Sequence, residues 1–137
     1  MITIHIPGTP VPKGRARGVM TKHGRPLFYT PQKTRSWERM AAQVAKIAMR
    51  GQKPLTGPLE ASVEAIFPYP ATWGKNKKLL SYPSKIDLDN IFKAASDAMN
   101  KIVYTDDAQI VRLTASKAYG DEPGVTITIV NIGLDEA

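Results

Sequence analysis

The chain has 137 residues, no cysteine and a formal net charge of +7. This length suits one domain with a modest core, and the lack of cysteine excludes disulfides and thiolate zinc sites. No apolar run approaches the ~18 residues that cross a bilayer, and the N-terminus has no signal-peptide pattern. We therefore expect a cytoplasmic protein without membrane contact.

Basic residues are concentrated in the N-terminal third of the chain. Residues 1–53 contain 11 Lys and Arg and a single acid, Glu38, for a net charge of +10, whereas the remaining residues carry a net charge of −3. A polyanion such as nucleic acid would meet the basic end first. A solvated basic surface is the alternative explanation of the same pattern.

The first part of the chain predicts a strand, an irregular segment and a helix. Residues 2–6 alternate as a short strand, and residues 7–26, rich in Pro, Gly and basic residues, predict a loop or a loosely paired hairpin. Thr30 is suited to cap a helix that opens with Pro31 and ends at Gly51. Its inward face is predicted from apolar residues at helical spacing: Trp37, Met40, Ala41, Val44, Ile47 and Ala48.

The middle of the chain predicts a second strand and a second helix. Residues 59–67 alternate between apolar and polar types, which is typical of a strand with one buried face. Residues 68–86 contain prolines and lack periodicity, so we expect irregular structure. A helix is predicted near 89–101, with an apolar stripe formed by Ile91, Ala94, Ala95, Ala98 and Ile102.

Two further strands are predicted at the end of the chain, over 109–119 and 125–131. Residues 120–124 between them indicate a hairpin loop. The order strand, helix, strand, helix, strand, strand favours a single α+β domain over residues 1–137, with a mixed sheet and two main helices packed on it.

Two aspartates precede the second helix. In an extended segment, residues two apart point the same way, so Asp87 and Asp89 would aim at one point. Asn90 and Lys93 follow on the first turn, and Lys93 shares a helical face with Asp89. That face differs from the apolar stripe and can remain open to a ligand.

A second acidic pair, Asp106 and Asp107, lies beyond the helix. A helix of about 12 residues spans about 18 Å, so the sequence leaves open whether Asp107 reaches Asp87 and Asp89. If it does, three carboxylates suit a hard cation such as Mg²⁺ or Mn²⁺. Such an ion polarises phosphoryl oxygens and lowers the pKa of a bound water, while Lys93 balances charge in the transition state.

Each feature also has an ordinary structural explanation. Asp87 or Asp89 can be a helix N-cap, a common role for aspartate. Asp89 and Lys93 can form a surface ion pair worth under ~1 kcal/mol. Asp106 and Asp107 can simply form a turn.

Taken together, these motifs resemble the RusA family of Holliday junction resolvases. The resemblance covers nearly the whole chain, and its N-terminal motifs are similar to the form found in Gram-positive bacteria and their phages, prophages included. The residues that carry it are 87–90 (DLDN), Lys93, 97–98 (DA), 106–110 (DDAQI), 10–17 (PVPKGRAR) and 29–34 (YTPQKT).

The resemblance implies a fold, a reaction and a site. The fold would be RusA-like, and the protein a homodimer that binds four-way DNA junctions in recombination and repair and cuts two opposed strands symmetrically with Mg²⁺ or Mn²⁺. Asp87, Asp89 and Asp107 would form the catalytic, metal-holding triad, and Lys93 would be the essential lysine. A two-fold dimer suits two coordinated cuts.

Predicted DNA contacts lie in two places. Lys13, Arg15 and Arg17 alternate, so an extended segment would align them along a phosphate backbone. The family often has arginines directly before the DLDN motif, and Lys85 stands in that region here. Lys85 and Asn90 complete the predicted contacts.

Two other functions are compatible with these residues. A non-catalytic DNA-binding module would use the basic third alone, with the acids as caps and turns. A nuclease that acts on flaps or plain duplex would share the chemistry but not the substrate.

Overall fold

The computed structural model describes residues 1–14, 17–29, 31–75 and 81–133, apart from four side chains at positions 17, 19, 28 and 29. Of the predicted DNA contacts, Arg15 lies outside the described residues, as does the side chain of Arg17. Within the described ranges, no helix combines the length and apolar character that a membrane span requires.

The chain forms a four-stranded mixed sheet, a separate two-stranded hairpin and two main helices, which confirms the predicted α+β class. Short 3-10 turns occur at Ala71–Trp73 and Asp107–Gln109. The main elements are β1 (Ile2–Pro7), β2 (Arg17–Met20), β3 (Pro26–Tyr29), α1 (Gln32–Met49), β4 (Leu59–Phe67), α2 (Leu88–Met99), β5 (Ile110–Tyr119) and β6 (Gly124–Asn131).

The order of strands in the sheet is β1-β6-β4-β5. β6 runs antiparallel to both of its neighbours, whereas β4 and β5 are parallel. A parallel pair needs a crossover connection, and α2 supplies it. As a result, α2 begins near the C-terminal ends of β4 and β5 and runs back towards the end of the sheet where both strands start.

The predicted hairpin between the last two strands is wrong, because β4 lies between β5 and β6. The connecting loop instead passes the end of β4, where the Gly120 N–H donates to the Phe67 carbonyl at 2.9 Å. A Cβ at Gly120 would lie 2.6 Å from Cγ2 of Ile66, so the glycine reflects this close passage. Alternation predicted the two strands but carries no information about which strands are neighbours.

The core lies between one face of the sheet and the two helices. α1 packs against α2 and β1, and α2 also contacts β5. Ser62 and Glu64 on the other face of β4 are exposed. The inward residues of β4 are Leu59, Ala61, Val63, Ala65 and Phe67, and those of α2 are Ile91, Ala94, Ala95, Ser96, Ala98 and Met99.

Helix α1 differs from its prediction in two respects. Its N-cap is Pro31, without a side-chain cap, whereas the predicted cap Thr30 lies outside the described residues. Met40 and Ile47 are 39% and 75% exposed, so their predicted burial is wrong. The helix ends at Met49 with Arg50 as its left-handed C-cap at φ 51°, and the predicted Gly51 follows at φ 77°. The buried stripe follows a narrower line along the helix: Thr34, Trp37, Ala41, Ala45 and Met49.

Candidate active site

The N-terminus of α2 carries the first two predicted metal ligands. Asp87 occupies the N-cap position in extended conformation, but its side chain makes no capping hydrogen bond. Its main-chain carbonyl accepts the N–H groups of Asn90 and Ile91, at 3.2 and 3.3 Å. The N-cap explanation of this residue therefore accounts for its backbone and not for its exposed carboxylate.

Asp89 lies in the first turn of α2 and not in the extended segment that we expected. Its Oδ1 accepts the main-chain N–H of Asn90 at 3.0 Å, and both side chains are exposed. Negative charge is favourable at this end of a helix because the free N–H groups carry partial positive charge. Asp87 and Asp89 thus lie two residues apart at one exposed helix end.

Lys93 pairs with an acid on its C-terminal side. Its Nζ lies 3.7 Å from Oδ1 of Asp97, one turn further along α2, while its side chain stays 59% exposed. The predicted alternative, a surface pair with Asp89, does not appear among the ion pairs of the described residues. Asp97 therefore holds the ammonium group on the open face of the helix.

Asp97 also holds Lys13, one of the predicted DNA contacts. The Lys13 Nζ lies 3.1 Å from Oδ2 of Asp97 and 2.7 Å from Oε1 of Glu38 on α1. Partial burial lowers the pKa of Lys13, but the hydrogen bonds to both carboxylates outweigh it and leave the pKa above its usual value. The Lys13 N–H also donates to the Asn90 carbonyl at 2.9 Å. Lys13 thus attaches the N-terminal segment to both helices.

The third predicted ligand lies in the 3-10 turn before β5. The Asp106 side chain accepts the main-chain N–H of Gln109, and Oε1 of Gln109 accepts the N–H groups of Asp106 and Thr105. The Gln109 Nε2 donates to two more carbonyls, those of Leu55 and Gly57, both at 3.0 Å. Within the described part of the chain, this bonding uses Asp106 and Gln109 and leaves out the carboxylate of Asp107.

Tyr104 shows which end of α2 is near Asp107. Its hydroxyl is buried and donates to the Ser96 carbonyl near the C-terminus of α2, at 3.0 Å. Burial raises the pKa of the Tyr104 phenol, and the carboxylates of Asp107, Asp97 and Asp106 raise it further. Asp107 is therefore a neighbour of the C-terminal part of the helix.

Asp87 lies at the opposite end. The Lys117 Nζ donates to the Ile86 carbonyl, which fixes the start of α2 beside the C-terminal half of β5. From Ile110 to Lys117 the strand rises about 23 Å, and the 12 residues of α2 span about 18 Å. A single chain therefore does not bring Asp107 to Asp87 and Asp89, and the described residues contain no group of three His, Cys, Asp or Glu able to hold a metal ion.

Sequence reasoning missed Lys117. Its strand register places it beside Ala65, on the face of the sheet that the helices cover. A lysine at an inward-facing position of a predicted strand was the sequence signal that could have indicated a role for Lys117.

Exposed Lys85 borders a cavity of about 400 Å³ near the same helix end. Tyr119 also lines this cavity, and its ring packs against those of Tyr69 and Trp73 at centroid distances of 6.0 and 5.2 Å. The site therefore combines a polar helix end with an adjacent aromatic wall.

Comparison with known proteins agrees with these motifs. Residues 7–130 match the family model of endodeoxyribonuclease RusA. The chain is also 35% identical over 130 residues to the uncharacterized protein YqaN of Bacillus subtilis (strain 168), which covers 89% of this chain and 90% of that protein. The family match begins at the last residue of β1, spans both helices, β4 and β5 and all but the last residue of β6, and includes the two acidic motifs. This chain therefore belongs to the RusA endodeoxyribonuclease family.

Proposed function

We propose that this protein is a divalent-metal-dependent endonuclease that resolves four-way DNA junctions by paired symmetric cuts, acting in DNA recombination and repair in the cytoplasm. The observation that carries the proposal is the pair of exposed aspartates, Asp87 and Asp89, at one helix end in a chain of an endodeoxyribonuclease family. The strongly basic N-terminal third supports a polyanionic substrate.

The donor groups at this site fit Mg²⁺ or Mn²⁺. Carboxylate oxygens are the ligands that these hard cations prefer, and the chain contains no cysteine to favour a softer metal. Asp87 and Asp89 would hold the ion, with Asp107 as the third ligand. When bound, the ion polarises the phosphoryl oxygens and lowers the pKa of a water molecule.

The separation of Asp107 from the other two ligands supports a homodimer. Because Asp107 lies at the far end of α2 from Asp87, we infer that Asp107 of one chain joins Asp87 and Asp89 of a second chain. A two-fold dimer then contains two equivalent sites, each built from both subunits. Two such sites supply the two coordinated cuts that a four-way junction requires.

The remaining polar groups have separate tasks. Lys93, held by Asp97 but largely exposed, would balance negative charge that develops on the phosphoryl group. Lys85 and Asn90 flank the two aspartates and would contact the adjacent DNA backbone. Arg15 and Arg17 are proposed as phosphate contacts, and Lys13 positions the segment that carries them.

The first experiment offers four-way junction, flap and linear duplex to the purified protein, with Mg²⁺ or with a chelator. We expect Mg²⁺-dependent cleavage of the junction, and Asp89→Asn should abolish this cleavage while junction binding persists. Glu64→Gln is the matched control, since it removes an acid from the exposed outer face of β4. Cleavage of flap or duplex in preference to the junction would contradict the proposed substrate, and cleavage by Asp89→Asn would contradict the proposed ligands.

A mixing experiment tests whether the site is shared between chains. Asp89→Asn and Asp107→Asn should each be inactive alone. After the two are mixed and allowed to exchange subunits, one site of each heterodimer contains only native ligands, so nicking of the junction should return. If each site lay within one chain, every site in the mixture would keep one substitution and no activity would return.

A further inference from the structure

The cavity bordered by Lys85 has no task in the cleavage reaction proposed above. Its volume of about 400 Å³ lies within the range of small-molecule sites, roughly 300–1,000 Å³. Phe67 and Tyr119 line it, and these are the paired last residues of the parallel strands β4 and β5. The cavity therefore lies at the end of the sheet where α2 begins.

The described lining of this cavity is mostly apolar. It includes three prolines and the buried ring of Phe67, and its single charged side chain among the described residues is the exposed Lys85. A phosphate group needs several cations or N–H donors, so these walls do not suit it. The apolar part of a nucleic acid is the flat face of a base. A base therefore matches the walls, and its phosphate matches Lys85 at the border.

We propose that this cavity binds one unpaired nucleobase of the DNA substrate, close to the phosphate that is cut. The proposal rests on the proposed function, because Lys85 and Ile86 line the cavity and directly precede the proposed ligand Asp87. Two residues of extended chain span at most about 7 Å, and the phosphates of one strand follow each other at about 3.4 Å along the duplex axis. The bound base therefore belongs to a nucleotide within about two positions of the cut.

Tyr119 supplies an aromatic ring against which a base can stack. Its own ring packs against those of Tyr69 and Trp73, so its position in the wall is supported from behind. Stacking on an aromatic side chain tolerates any base, because every base has a π face. Thr9 and Ser84 also line the cavity, and a hydroxyl group can both donate and accept a hydrogen bond. The cavity is therefore suited to an unpaired base of any identity.

Such a cavity favours branched DNA over linear duplex. A base that enters it must first leave its pair and its stack, and the free energy required is smallest where the base is already unpaired or poorly stacked. Stacking is interrupted at a branch point, so a base there enters more readily than one inside a continuous duplex. The cavity thus contributes to the choice of substrate, whereas the aspartates beside it act in cleavage.

A binding experiment in the presence of a chelator tests the cavity without any cleavage. Ser84→Trp places a large side chain in the cavity and should weaken binding of a four-way junction about tenfold, as expected for the loss of one base-stacking contact. A junction with abasic sites at the nucleotides that flank the branch point should bind the native protein about tenfold more weakly, and Ser84→Trp should cause no further loss on it. Ser62→Trp is the matched control, since it adds the same side chain to the exposed outer face of β4 and should bind both junctions like the native protein.

Native-like binding of the intact junction by Ser84→Trp, or the same tenfold loss on the abasic junction, would overturn the proposal. Thr9→Trp fills the cavity from another segment and should repeat the result, with circular dichroism to check the fold of both variants. A second readout uses no junction: a deoxynucleoside monophosphate should shift the NMR amide signals of Lys85 and Tyr119 in the native protein but not in Ser84→Trp, and unshifted signals in the native protein would contradict the site. A protein that passes these tests and cuts no junction with Mg²⁺ would contradict the proposed function and leave the base site intact.

Discussion

Where β5 begins, two adjacent aspartates have different surroundings. The Asp106 carboxylate accepts a hydrogen bond from the Gln109 N–H and so closes the 3-10 turn. The carboxylate of Asp107 has no part in that capping box. The same turn is attached to the segment before β4 through Gln109, which donates to Leu55 and Gly57. A fixed turn whose capping box, among the described residues, leaves out one carboxylate is the local arrangement that the proposed metal ligand needs.

These surroundings predict opposite effects for two conservative substitutions. Asp106→Asn keeps a side-chain oxygen that can accept the Gln109 N–H, and Asn is as good an N-cap as Asp, so we expect a change of only about 0.3 kcal/mol in the free energy of unfolding, with junction cleavage retained. Asp107→Asn should leave the free energy of unfolding nearly unchanged and abolish cleavage. Chemical denaturation and a junction-cleavage assay check both variants. The opposite assignment, an inactive Asp106→Asn and an active Asp107→Asn, would show that the ligand is the other aspartate.

How much of this region the sequence could predict depends on how far apart along the chain the interacting residues lie. The exposed carboxylate of Asp87 at a helix end could be predicted from local spacing, since helix starts and short contacts depend on residues a few positions apart. The proposal of Asp107 over Asp106 as a ligand comes from family resemblance, and the long-range bonding of Gln109 to residues more than 50 positions away is compatible with it. No local pattern encodes that contact.

At the level of elements, periodicity predicted which residues of β4 face the core and failed to predict which elements are neighbours. The alternation over 59–67 matched β4 residue by residue. The loop at 120–124 looked like a hairpin because glycines and a short connection are typical of one. In the fold, β5 pairs in parallel with one side of β4, and β6 pairs with the other side of β4 and not with β5.

The contact of the N-terminal segment with α1 and α2 supports a prediction about two lysines. Lys13 is held between Glu38 and Asp97, whereas Lys85 is exposed beside the proposed site. Lys13→Met should lower the free energy of unfolding by about 1–2 kcal/mol, because it removes the lysine from the partly buried Glu38 carboxylate and the nearer of two lysines from Asp97. Lys85→Met should leave stability unchanged and reduce the slope of log binding constant against log salt by about 1.

Denaturant unfolding and junction binding at several salt concentrations separate the two roles. A Lys13→Met protein with native stability and a reduced salt slope would show that Lys13 contacts phosphate directly, as its spacing with Arg15 and Arg17 first indicated.

At the scale of the whole molecule, the separation of the three acids predicts that activity depends on the proposed dimer. The two ends of α2 are about 18 Å apart in one chain, so a monomer holds at most two of the three proposed ligands at one site. The basic N-terminal third can still attract DNA to a monomer. Binding and cleavage should therefore depend differently on protein concentration.

This difference gives the final prediction. With junction in excess, the cleavage rate of dilute native protein should fall with the square of its concentration, since dimers form from two chains. An excess of Asp89→Asn should then stimulate nicking, because each mixed dimer contains one site with native Asp87 and Asp89 from one chain and native Asp107 from the other. The double variant Asp89→Asn/Asp107→Asn is the matched control, as both sites of its mixed dimer contain a substitution, and it should inhibit. Stimulation by the double variant would show that each chain carries a complete site, and inhibition by both variants would contradict the shared site.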